Sequence, residues 1–368
     1  MITERINKVH DALDRSDFDA VVLNPGASLF YTSGLHFHLM ERPVVLVMKK
    51  GGSQAIILPE LEMQKLTDLP YDLQKYPYGE DPQEWARTFS KALTALDLDE
   101  KTIGMEPLSL RMLEFGFLKG ALSKAKFVNA QDLISSLRLI KDSQEINSIR
   151  KAVKVAQIAM ENSISSIRIG MSEKEIASEL VLQLFRSGSE PEVPFSPIVS
   201  AGMNGANPHA VPTDRKLVEG DLLVVDWGAR VEGYISDITR TFAIGEIEGE
   251  LEKIHLVVQK ANTAGRSAGR PGEPCASVDT AARNVIEQAG YAKFFTHRTG
   301  HGIGMEPHED PYLRGDNMQL LMPGMTYTVE PGIYLPGNNG VRIEDDMLVT
   351  MDGSESLSDM DRKIRVIG

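Results

Sequence analysis

The sequence predicts an α/β domain over residues 1–140, followed by an α+β domain over residues 141–368. Three observations predict this arrangement. A chain of 368 residues is longer than one average domain. Short β-rich runs mixed with helical periodicity fill the first part. From about residue 193 the pattern changes to hairpins separated by Gly- and Pro-rich turns, which is typical of a curved antiparallel sheet covered by helices.

The N-terminal domain shows both strand and helix patterns. Apolar and β-branched residues predict strands at Ala20–Leu23, 44–48 and 55–58. Charged and apolar residues alternate at helical spacing over 1–19, and a second helix is predicted over 82–96. The first of these stretches lacks the long apolar centre of a signal peptide.

A polar break at 141–143 marks the predicted domain boundary and the start of a long amphipathic helix. Asp142 is expected to cap this helix, and Glu145 three residues later suits a capping box. One stripe of the helix carries apolar residues, namely Ile146, Ile149, Val153, Met160 and Ile164. Further helices are predicted at 173–187, 250–267 and 278–289.

The composition excludes several classes of protein. Hydrophobic residues make up 42% and charged residues 25%, which is typical of a globular protein. A formal net charge of −13 argues against nucleic-acid and anionic-membrane partners. The single cysteine, Cys275, allows neither an internal disulfide nor a thiolate zinc cage. We expect a cytoplasmic protein without a membrane span, because every apolar run is far shorter than about 20 residues.

Two predicted hairpins each carry a pair of acids. The runs V-V-D-W-G and S-D-I-T-R-T-F are joined by a short turn. If the hairpin is centred just after Val231, Asp226 and Asp237 lie opposite each other on one face. In the second hairpin, Glu330 and Glu344 are equidistant from Gly337. The sequence therefore predicts two facing pairs of carboxylates.

Facing acids in β-rich surroundings favour a bound cation, because ionised carboxylates repel strongly there unless they are neutralised. His301 is the candidate imidazole, and the flanking Gly300 and Gly302 are expected to let the backbone approach the ions closely. Four carboxylates with one imidazole suit two divalent ions such as Mn(II), Co(II), Fe(II) or Zn(II). The alternatives are solvated acids and a structural histidine. His209 and His308 lie on loop-like segments, where substrate binding and an ordinary surface position are equally compatible with the pattern.

Five motifs carry these residues in order. They are D-W-G at 226–228, S-D-I-T-R-T at 236–241, G-H-G-I-G at 300–304, E-P-G-I-Y at 330–334 and V-R-I-E-D at 341–345. Together they resemble the metal-binding signature of the pita-bread metallopeptidases. The resemblance implies a C-terminal pita-bread (creatinase/aminopeptidase) domain, and residues 1–140 resemble the smaller creatinase-type α/β domain. It also implies two divalent ions, with Mn(II) favoured, held by Asp226, Asp237, His301, Glu330 and Glu344.

The resemblance favours the proline-specific branch of that family. Arg342, two residues before Glu344, is more typical of that branch than of the methionine aminopeptidases, which usually lack the extra N-terminal domain. The branch hydrolyses the bond between an N-terminal residue and proline, in a dipeptide or a longer peptide. Both prolidase and aminopeptidase P remain open, and a homodimer is implied.

The same resemblance implies roles for individual residues. Glu330 is expected to move a proton to the proline nitrogen, and His308 to stabilise the tetrahedral oxyanion. His209 and Arg342 are expected to position the substrate, and Tyr334 to belong to the substrate-binding residues.

The segment at 34–42 resembles a prolidase loop that reaches into the neighbouring subunit's active site. This resemblance places His38 and Arg42 among the substrate-binding residues. The alternative is an ordinary surface turn.

Competing motifs fail on their context. The G-x-S-x-G match at 265–269 follows a helical run rather than a strand. An H-E-x-x-H site is excluded because Tyr312 occupies the second histidine position. An inactive binding protein of the same fold and a metal-free creatinase-like hydrolase are the remaining alternatives. Retention of all five ligands argues against both, and metal analysis with chelator inhibition on an Xaa-Pro peptide separates the three.

Overall fold

The computed structural model describes residues 2–368, which form two compact units. One unit ends at Arg138, and the other runs from Leu139 to Gly368. Among the described residues, none of the helices combines the length and the apolarity needed to cross a bilayer.

The N-terminal unit is a six-stranded mixed sheet with helices. Its helices are α1 Ile2–Asp14, α2 Ala27–Ser33, α3 Pro82–Ala95, α4 Met112–Ala121 and α5 Gln131–Leu139. Its strands are β1 Ala20–Leu23, β2 Val45–Lys49, β3 Gln54–Pro59, β4 Gln74–Tyr78, β5 Thr102–Met105 and β6 Lys126–Asn129. The strand order is β4-β3-β2-β1-β5-β6, and β1 is antiparallel to β2 but parallel to β5.

The predicted elements of this unit are present. The three predicted strands correspond to β1, β2 and β3, and the helix predicted over 82–96 is α3. Asp81 caps α3 by accepting a hydrogen bond from the backbone of Gln83, and Pro82 follows it at a position where the missing N–H does no harm. The helical spacing predicted over 1–19 becomes α1, although Met1 lies outside the described residues.

The C-terminal unit contains four α-helices and thirteen strands within its described residues. The helices are α6 Ser143–Ile164, α7 Glu173–Arg186, α8 Gly249–Ala268 and α9 Cys275–Gln288. The first strands are β7 Ile198–Ala201, β8 Leu222–Trp227, β9 Arg230–Val231, β10 Tyr234–Ile235, β11 Ile238–Ile244, β12 Gly300–Gly302 and β13 Glu309–Leu313. The remaining strands are β14 Thr326–Val329, β15 Gly332–Tyr334, β16 Gly340–Arg342, β17 Asp345–Val349, β18 Ser354–Ser356 and β19 Val366–Ile367.

The predicted curved antiparallel sheet is divided into several sheets. One has the order β19-β11-β8-β7, another β13-β12-β14-β17-β18, and two are the short pairs β10-β9 and β15-β16. The pairings of β8 with β7 and β11 and of β14 with β17 are antiparallel, as predicted, whereas the edge pairing of β11 with β19 is parallel. A hairpin ladder is interrupted where a side chain takes the place of a backbone hydrogen-bond acceptor. At Ala229, for example, the backbone N–H donates to the hydroxyl of Ser236.

The predicted helices of this unit lie within a few residues of their expected bounds. Asp142 and Glu145 form the expected capping box at the start of α6. Of the predicted apolar stripe, Ile149, Val153 and Met160 are fully buried. Trp227 at the end of β8 is also buried, and its indole N–H donates to the carbonyl of Ala156, which fixes α6 against the strand that carries Asp226.

Candidate metal centre

The first hairpin has a different register from the predicted one. Asp226 pairs with Thr239 rather than with Asp237, so the predicted direct pairing was wrong. The turn is centred one residue later, at Glu232 and Gly233, whose φ angles are 54° and 79°. This geometry is typical of a two-residue type I′ turn, which has positive φ at both positions. Asp237 lies two residues along from the partner of Asp226, and the carboxylates are diagonal neighbours.

The second hairpin agrees with its predicted centre. Val329 pairs with Asp345 in the β14–β17 ladder, and Gly332 pairs with Arg342 in the β15–β16 ladder. Both ladders keep one register, so the intervening Glu330 and Glu344 face each other. Their carboxylates therefore belong to neighbouring strands on one side of the turn at Gly337.

The acids of the two hairpins converge with the imidazole. Asp237, His301 and Glu344 are buried and offer ligand atoms that all lie within 4.8 Å of one another. The Nε2 atom of His301 is 3.5 Å from Oε1 of Glu330 and 3.8 Å from Oδ2 of Asp237. Thr239, which pairs with Asp226 across the strands, donates from its hydroxyl to Glu344 at 2.7 Å.

The electrostatics of this cluster oppose ionisation in the absence of a cation. Burial, followed by the charges of Glu344 and Asp226, raises the pKa of Asp237 well above its usual value. Burial, followed by the charge of Glu330, does the same for the pKa of Glu344. Burial also raises the pKa of Glu330 to about 8, although Arg342 opposes the shift. Divalent cations would reverse these shifts by supplying the missing positive charge.

The donor atoms fit such cations. Among the described residues, the Oδ1 atoms of Asp226 and Asp237 are buried without a hydrogen-bond partner. Nδ1 of His301 lies 3.1 Å from the carbonyl of Gly302, so it carries the proton and leaves the lone pair of Nε2 facing the acids. Burial, followed by the charge of His308, lowers the pKa of His301 well below its usual value. A neutral imidazole with several carboxylate oxygens is a donor set for hard or borderline divalent ions.

Gly300 and Gly302, on either side of His301, are required by the packing of neighbouring strands rather than by close approach to ions. A Cβ atom on Gly300 would lie 1.9 Å from the carbonyl oxygen of Thr328, and one on Gly302 would lie 2.2 Å from that of Asp310. The glycines therefore allow β12 to pass between its neighbouring strands, which brings His301 to the acids.

Arg342 is buried and holds the site together through four hydrogen bonds. Its guanidinium donates to Oδ2 of Asp226 at 2.7 Å and to the hydroxyl of Thr239 at 3.1 Å. It also donates to the hydroxyl of Tyr334 at 2.9 Å and to the carbonyl of Pro208 at 3.0 Å. A guanidinium has five N–H groups, and these hydrogen bonds use four of them, so a single N–H group of Arg342 is left to bind a substrate.

Tyr334 and His297 extend this network. The Tyr334 hydroxyl lies 2.9 Å from Nε2 of His297, and Nδ1 of that ring lies 2.7 Å from the carbonyl of Arg298. Burial lowers the pKa of His297 to about 4 and raises that of Tyr334 to about 12. A neutral His297 that donates from Nδ1 accepts from Tyr334, so the phenol is oriented on both sides.

His209 is exposed on a loop at 202–212 that is fixed at its base. Glu173, fully buried at the start of α7, accepts from the backbone of Ala201 at 2.8 Å and from the side chain of Asn204 at 2.8 Å. It also accepts from the backbone and hydroxyl of Thr213, at 2.9 and 2.7 Å. One carboxylate therefore joins the two ends of the loop that carries His209.

His308 lies beside the cluster of Asp237, His301 and Glu344, on its exposed side. Its ring centroid is 4.1 Å from that of the buried His301. Burial, followed by the charge of Arg298, lowers its pKa. The Nη2 atom of Arg298 lies 3.4 Å from Nδ1 of His308.

His38 and Arg42 belong to the N-terminal unit. His38 is exposed, and its ring packs edge-on against that of His36, with centroids 5.1 Å apart. Arg42 donates to Glu41 and to Glu80, at 2.9 and 2.8 Å. Their assignment to substrate binding stays a prediction.

Asp345 anchors the strand that carries Glu344. It is fully buried and accepts from Arg240 and Arg362, and from the side chains of Asn262 and Ser358. Burial alone would raise the pKa of Asp345, but the two arginines hold it below its usual range. The sequence pointed to Asp345 only as part of a motif, because its partners are far away in the chain.

Known proteins share both parts of this chain. Residues 147–351 match the sequence profile of metallopeptidase family M24, and residues 5–140 match that of the creatinase/prolidase N-terminal domain. A dipeptidase from Pyrococcus horikoshii is 36% identical with a TM-score of 0.92, over 99% of this chain and 100% of that one. A prolidase from Thermococcus sibiricus is 31% identical with a TM-score of 0.95, over 100% and 99%. An X-Pro aminopeptidase from Thermotoga maritima is 29% identical with a TM-score of 0.86, over 98% and 99%.

Proposed function

Because this chain belongs to metallopeptidase family M24, we propose that it hydrolyses the bond between an N-terminal residue and proline. Its C-terminal domain has the pita-bread fold and is preceded by a creatinase-type domain. The proposed site binds two divalent cations, Mn(II) in the first place, through the residues Asp226, Asp237, His301, Glu330 and Glu344. The observation that carries the proposal is the buried cluster of Asp237, His301 and Glu344.

The Xaa-Pro bond suits this kind of site. Its amide nitrogen has no N–H, and the ring restricts the residue before it, so recognition through that N–H is impossible. The cations would supply Lewis acidity toward the scissile carbonyl and a water of lowered pKa. The protein then has to place the peptide and to move a proton to the leaving nitrogen.

Glu330 is the proposed proton carrier. Its pKa of about 8 shows how strongly this environment favours the protonated form when no cation is present. Its Oε1 atom lies 3.5 Å from His301 and its side chain is partly exposed, so it can face both the cluster and a bound peptide. His308 is proposed to donate to the developing oxyanion, because it is the exposed ring next to the buried one.

Arg342 is proposed to act through other groups, whereas Tyr334 is proposed as a substrate-binding residue. The guanidinium fixes the carboxylate of Asp226 and the loop at Pro208, and the loop presents His209 to the solvent side. Substrate contact is therefore assigned to His209, whereas Arg342 is a positioning residue.

Two further assignments accompany this proposal. A homodimer is proposed, with His38 and Arg42 as substrate-binding residues. Light scattering tests the dimer, and His38→Ala tests the loop through the KM for the peptide. An unchanged KM in that variant would remove His38 from the site.

The activity is tested with Ala-Pro and Ala-Pro-Ala as substrates of the Mn(II)-loaded protein. We expect cleavage of at least one peptide, its loss in the presence of a chelator, and its recovery when Mn(II) is restored. Asp237→Asn should lose both the bound metal and turnover. Asp352→Asn, which changes an exposed acid between β17 and β18, should lose neither. Failure of the metal-loaded wild type to cleave either peptide would overturn the proposed function, as would full metal content and turnover in Asp237→Asn.

A further inference from the structure

The strand that carries His301 has an irregular ladder at that residue. β12 pairs with β13 at Gly300 and at Gly302, and the register shifts between these two positions. Its ladder with β14 consists, among the described residues, of the pair Gly302 and Tyr327. Where a register shifts, the residue at the shift loses part of its ladder support. The direction of His301 therefore depends on how the residues before it are held.

Thr299, the residue before this strand, is held by a carboxylate from α9. Oδ1 of Asp279 accepts from the backbone N–H of Thr299 at 3.0 Å and from its hydroxyl at 2.8 Å. Both side chains are buried. The two residues are 20 positions apart in the chain, so this contact fixes α9 to the start of β12.

Arg283 supplies the charge that the buried carboxylate needs. One turn further along α9, its guanidinium donates to both oxygens of Asp279 at 2.9 Å. It also donates to the carbonyls of Phe295 and His297, at 3.1 and 2.9 Å. A paired and hydrogen-bonded carboxylate is tolerated in the interior, whereas an unpaired one is costly. The pair therefore holds the whole segment that leads into the strand, from Phe295 to Thr299.

Thr299 also contacts a second member of the cluster. Its carbonyl accepts from the backbone N–H of Glu330 at 2.7 Å, directly after the end of β14. The side chains of Glu330 and His301 then approach each other, with Oε1 3.5 Å from Nε2. The residue that Asp279 fixes is therefore two positions before His301 and hydrogen-bonded to Glu330.

Resting on the proposed function, we infer that Asp279 is a positioning residue of the metal centre, which acts through Thr299 and sets the distance between His301 and Glu330. Its hydrogen bonds go to Thr299 and Arg283 rather than to the cluster itself. Removing Asp279 displaces one metal ligand and the proposed proton carrier together. Contacts of this outer kind contribute about ten- to hundredfold to metal affinity or activity.

The test compares Asp279→Ala, which removes the acceptor of Thr299, with a matched control, Asp221→Ala. Asp221 is a similarly buried carboxylate that accepts from two nitrogens of Arg215, both at 2.7 Å. Calorimetry with Mn(II) on metal-free protein should give a Kd raised about tenfold or more in Asp279→Ala, and within about twofold of the wild type in Asp221→Ala. Asp279→Asn, which keeps one oxygen for Thr299, should recover part of the affinity.

Kinetics at saturating Mn(II) distinguish positioning from a general loss of structure. In Asp279→Ala the kcat for Ala-Pro should fall about tenfold, because Glu330 is displaced, while the KM stays within about twofold.

Amide hydrogen exchange measures the same contact without metal or turnover. In chelated protein the amide of Glu330 should exchange about tenfold faster in Asp279→Ala than in Asp221→Ala.

Each outcome decides for or against the role of Asp279. Wild-type Mn(II) affinity in Asp279→Ala, or an equal loss in Asp221→Ala, would overturn the inference while Xaa-Pro cleavage stands. If Asp279→Ala does not fold, Arg283→Gln at the half-buried end of the pair replaces it, and wild-type affinity and exchange in that variant would count equally against the inference. A wild type that cleaves no Xaa-Pro peptide rejects the proposed activity alone when Asp279→Ala still binds Mn(II) more weakly and exchanges faster at Glu330. A wild type that binds no Mn(II) would reject both.

Discussion

Replacing Glu173 with glutamine perturbs the loop at 202–212 without changing the size of the side chain. In the native protein Oε1 accepts from the backbone of Ala201, and Oε2 accepts from the side chain of Asn204 and twice from Thr213. An amide offers one oxygen and two donors. Whichever way it turns, its NH2 group faces at least one N–H of the protein.

The least damaging orientation sets the size of the effect. If the amide oxygen keeps Asn204 and Thr213, the NH2 group faces the N–H of Ala201, and two donors meet in a fully buried site. One unsatisfied buried donor costs about 1–3 kcal/mol, and the surviving bonds lose the strength that the charge gave them. We therefore expect a loss of about 2–3 kcal/mol in the free energy of unfolding.

Urea denaturation and steady-state kinetics on Ala-Pro measure the two consequences. Loosening of the loop should also displace His209, with a fall of about tenfold in kcat/KM. Glu179→Gln on the same helix is the matched control, because among the described residues that side chain accepts only from Gln183 one turn away. If Glu173→Gln has the wild-type denaturation midpoint and wild-type kcat/KM, the anchoring role is refuted. Lower stability with unchanged kinetics would refute the link to His209 alone.

Three further predictions concern the charges of the centre. In chelated protein the raised pKa values of Asp237, Glu344 and Glu330, the last at about 8, mean that the folded state binds more protons than the unfolded state above pH ~4.3. Below about pH 7 the lowered pKa values of the buried His297 and His301 act in the opposite direction, because the unfolded state then binds the extra protons. Stability should therefore fall as the pH rises from about 7 through 8, and a Tm that stays flat or increases over that window would contradict the raised pKa values. Glu344→Gln removes one of the repelling acids, so at pH 8 the chelated variant should be more stable than the chelated wild type by about 1 kcal/mol or more. Mn(II) should no longer raise the Tm of this variant. A variant that is less stable than the wild type, or that Mn(II) still stabilises, would reject this reasoning. Arg342→Lys replaces a planar guanidinium, which makes four hydrogen bonds, by a single ammonium group. We expect kcat/KM to fall by about tenfold or more. Wild-type kinetics in this variant would show that the four hydrogen bonds are dispensable.

The sequence predicted the acids of the centre better than their surroundings. Symmetry about Gly337 placed Glu330 opposite Glu344, since both flanking ladders keep that register. The same arithmetic failed for Asp226 and Asp237, because the residues with positive φ are Glu232 and Gly233, and these decide where the chain reverses. A glutamate such as Glu232, at the first of the two turn positions, rarely adopts a positive φ, so the sequence does not indicate this conformation.

The supporting residues had no local signal. Glu173 resembles an ordinary acid in the first turn of a helix, yet its partners lie 28 to 40 residues further along the chain. Arg298 stands next to the predicted Gly300–His301 motif, but only the structure shows that it approaches His308 and packs over the ring of Tyr312. Long-range contacts of this kind depend on how strands pack, which periodicity does not encode.

Anomalous diffraction from crystals of the Mn(II)-loaded protein tests the central claim most directly. We expect two manganese peaks between the carboxylates of Asp226, Asp237, Glu330 and Glu344, one of them at bonding distance from Nε2 of His301. Crystals at saturating Mn(II) that show no peak among these side chains, or peaks only elsewhere on the protein, would contradict the account.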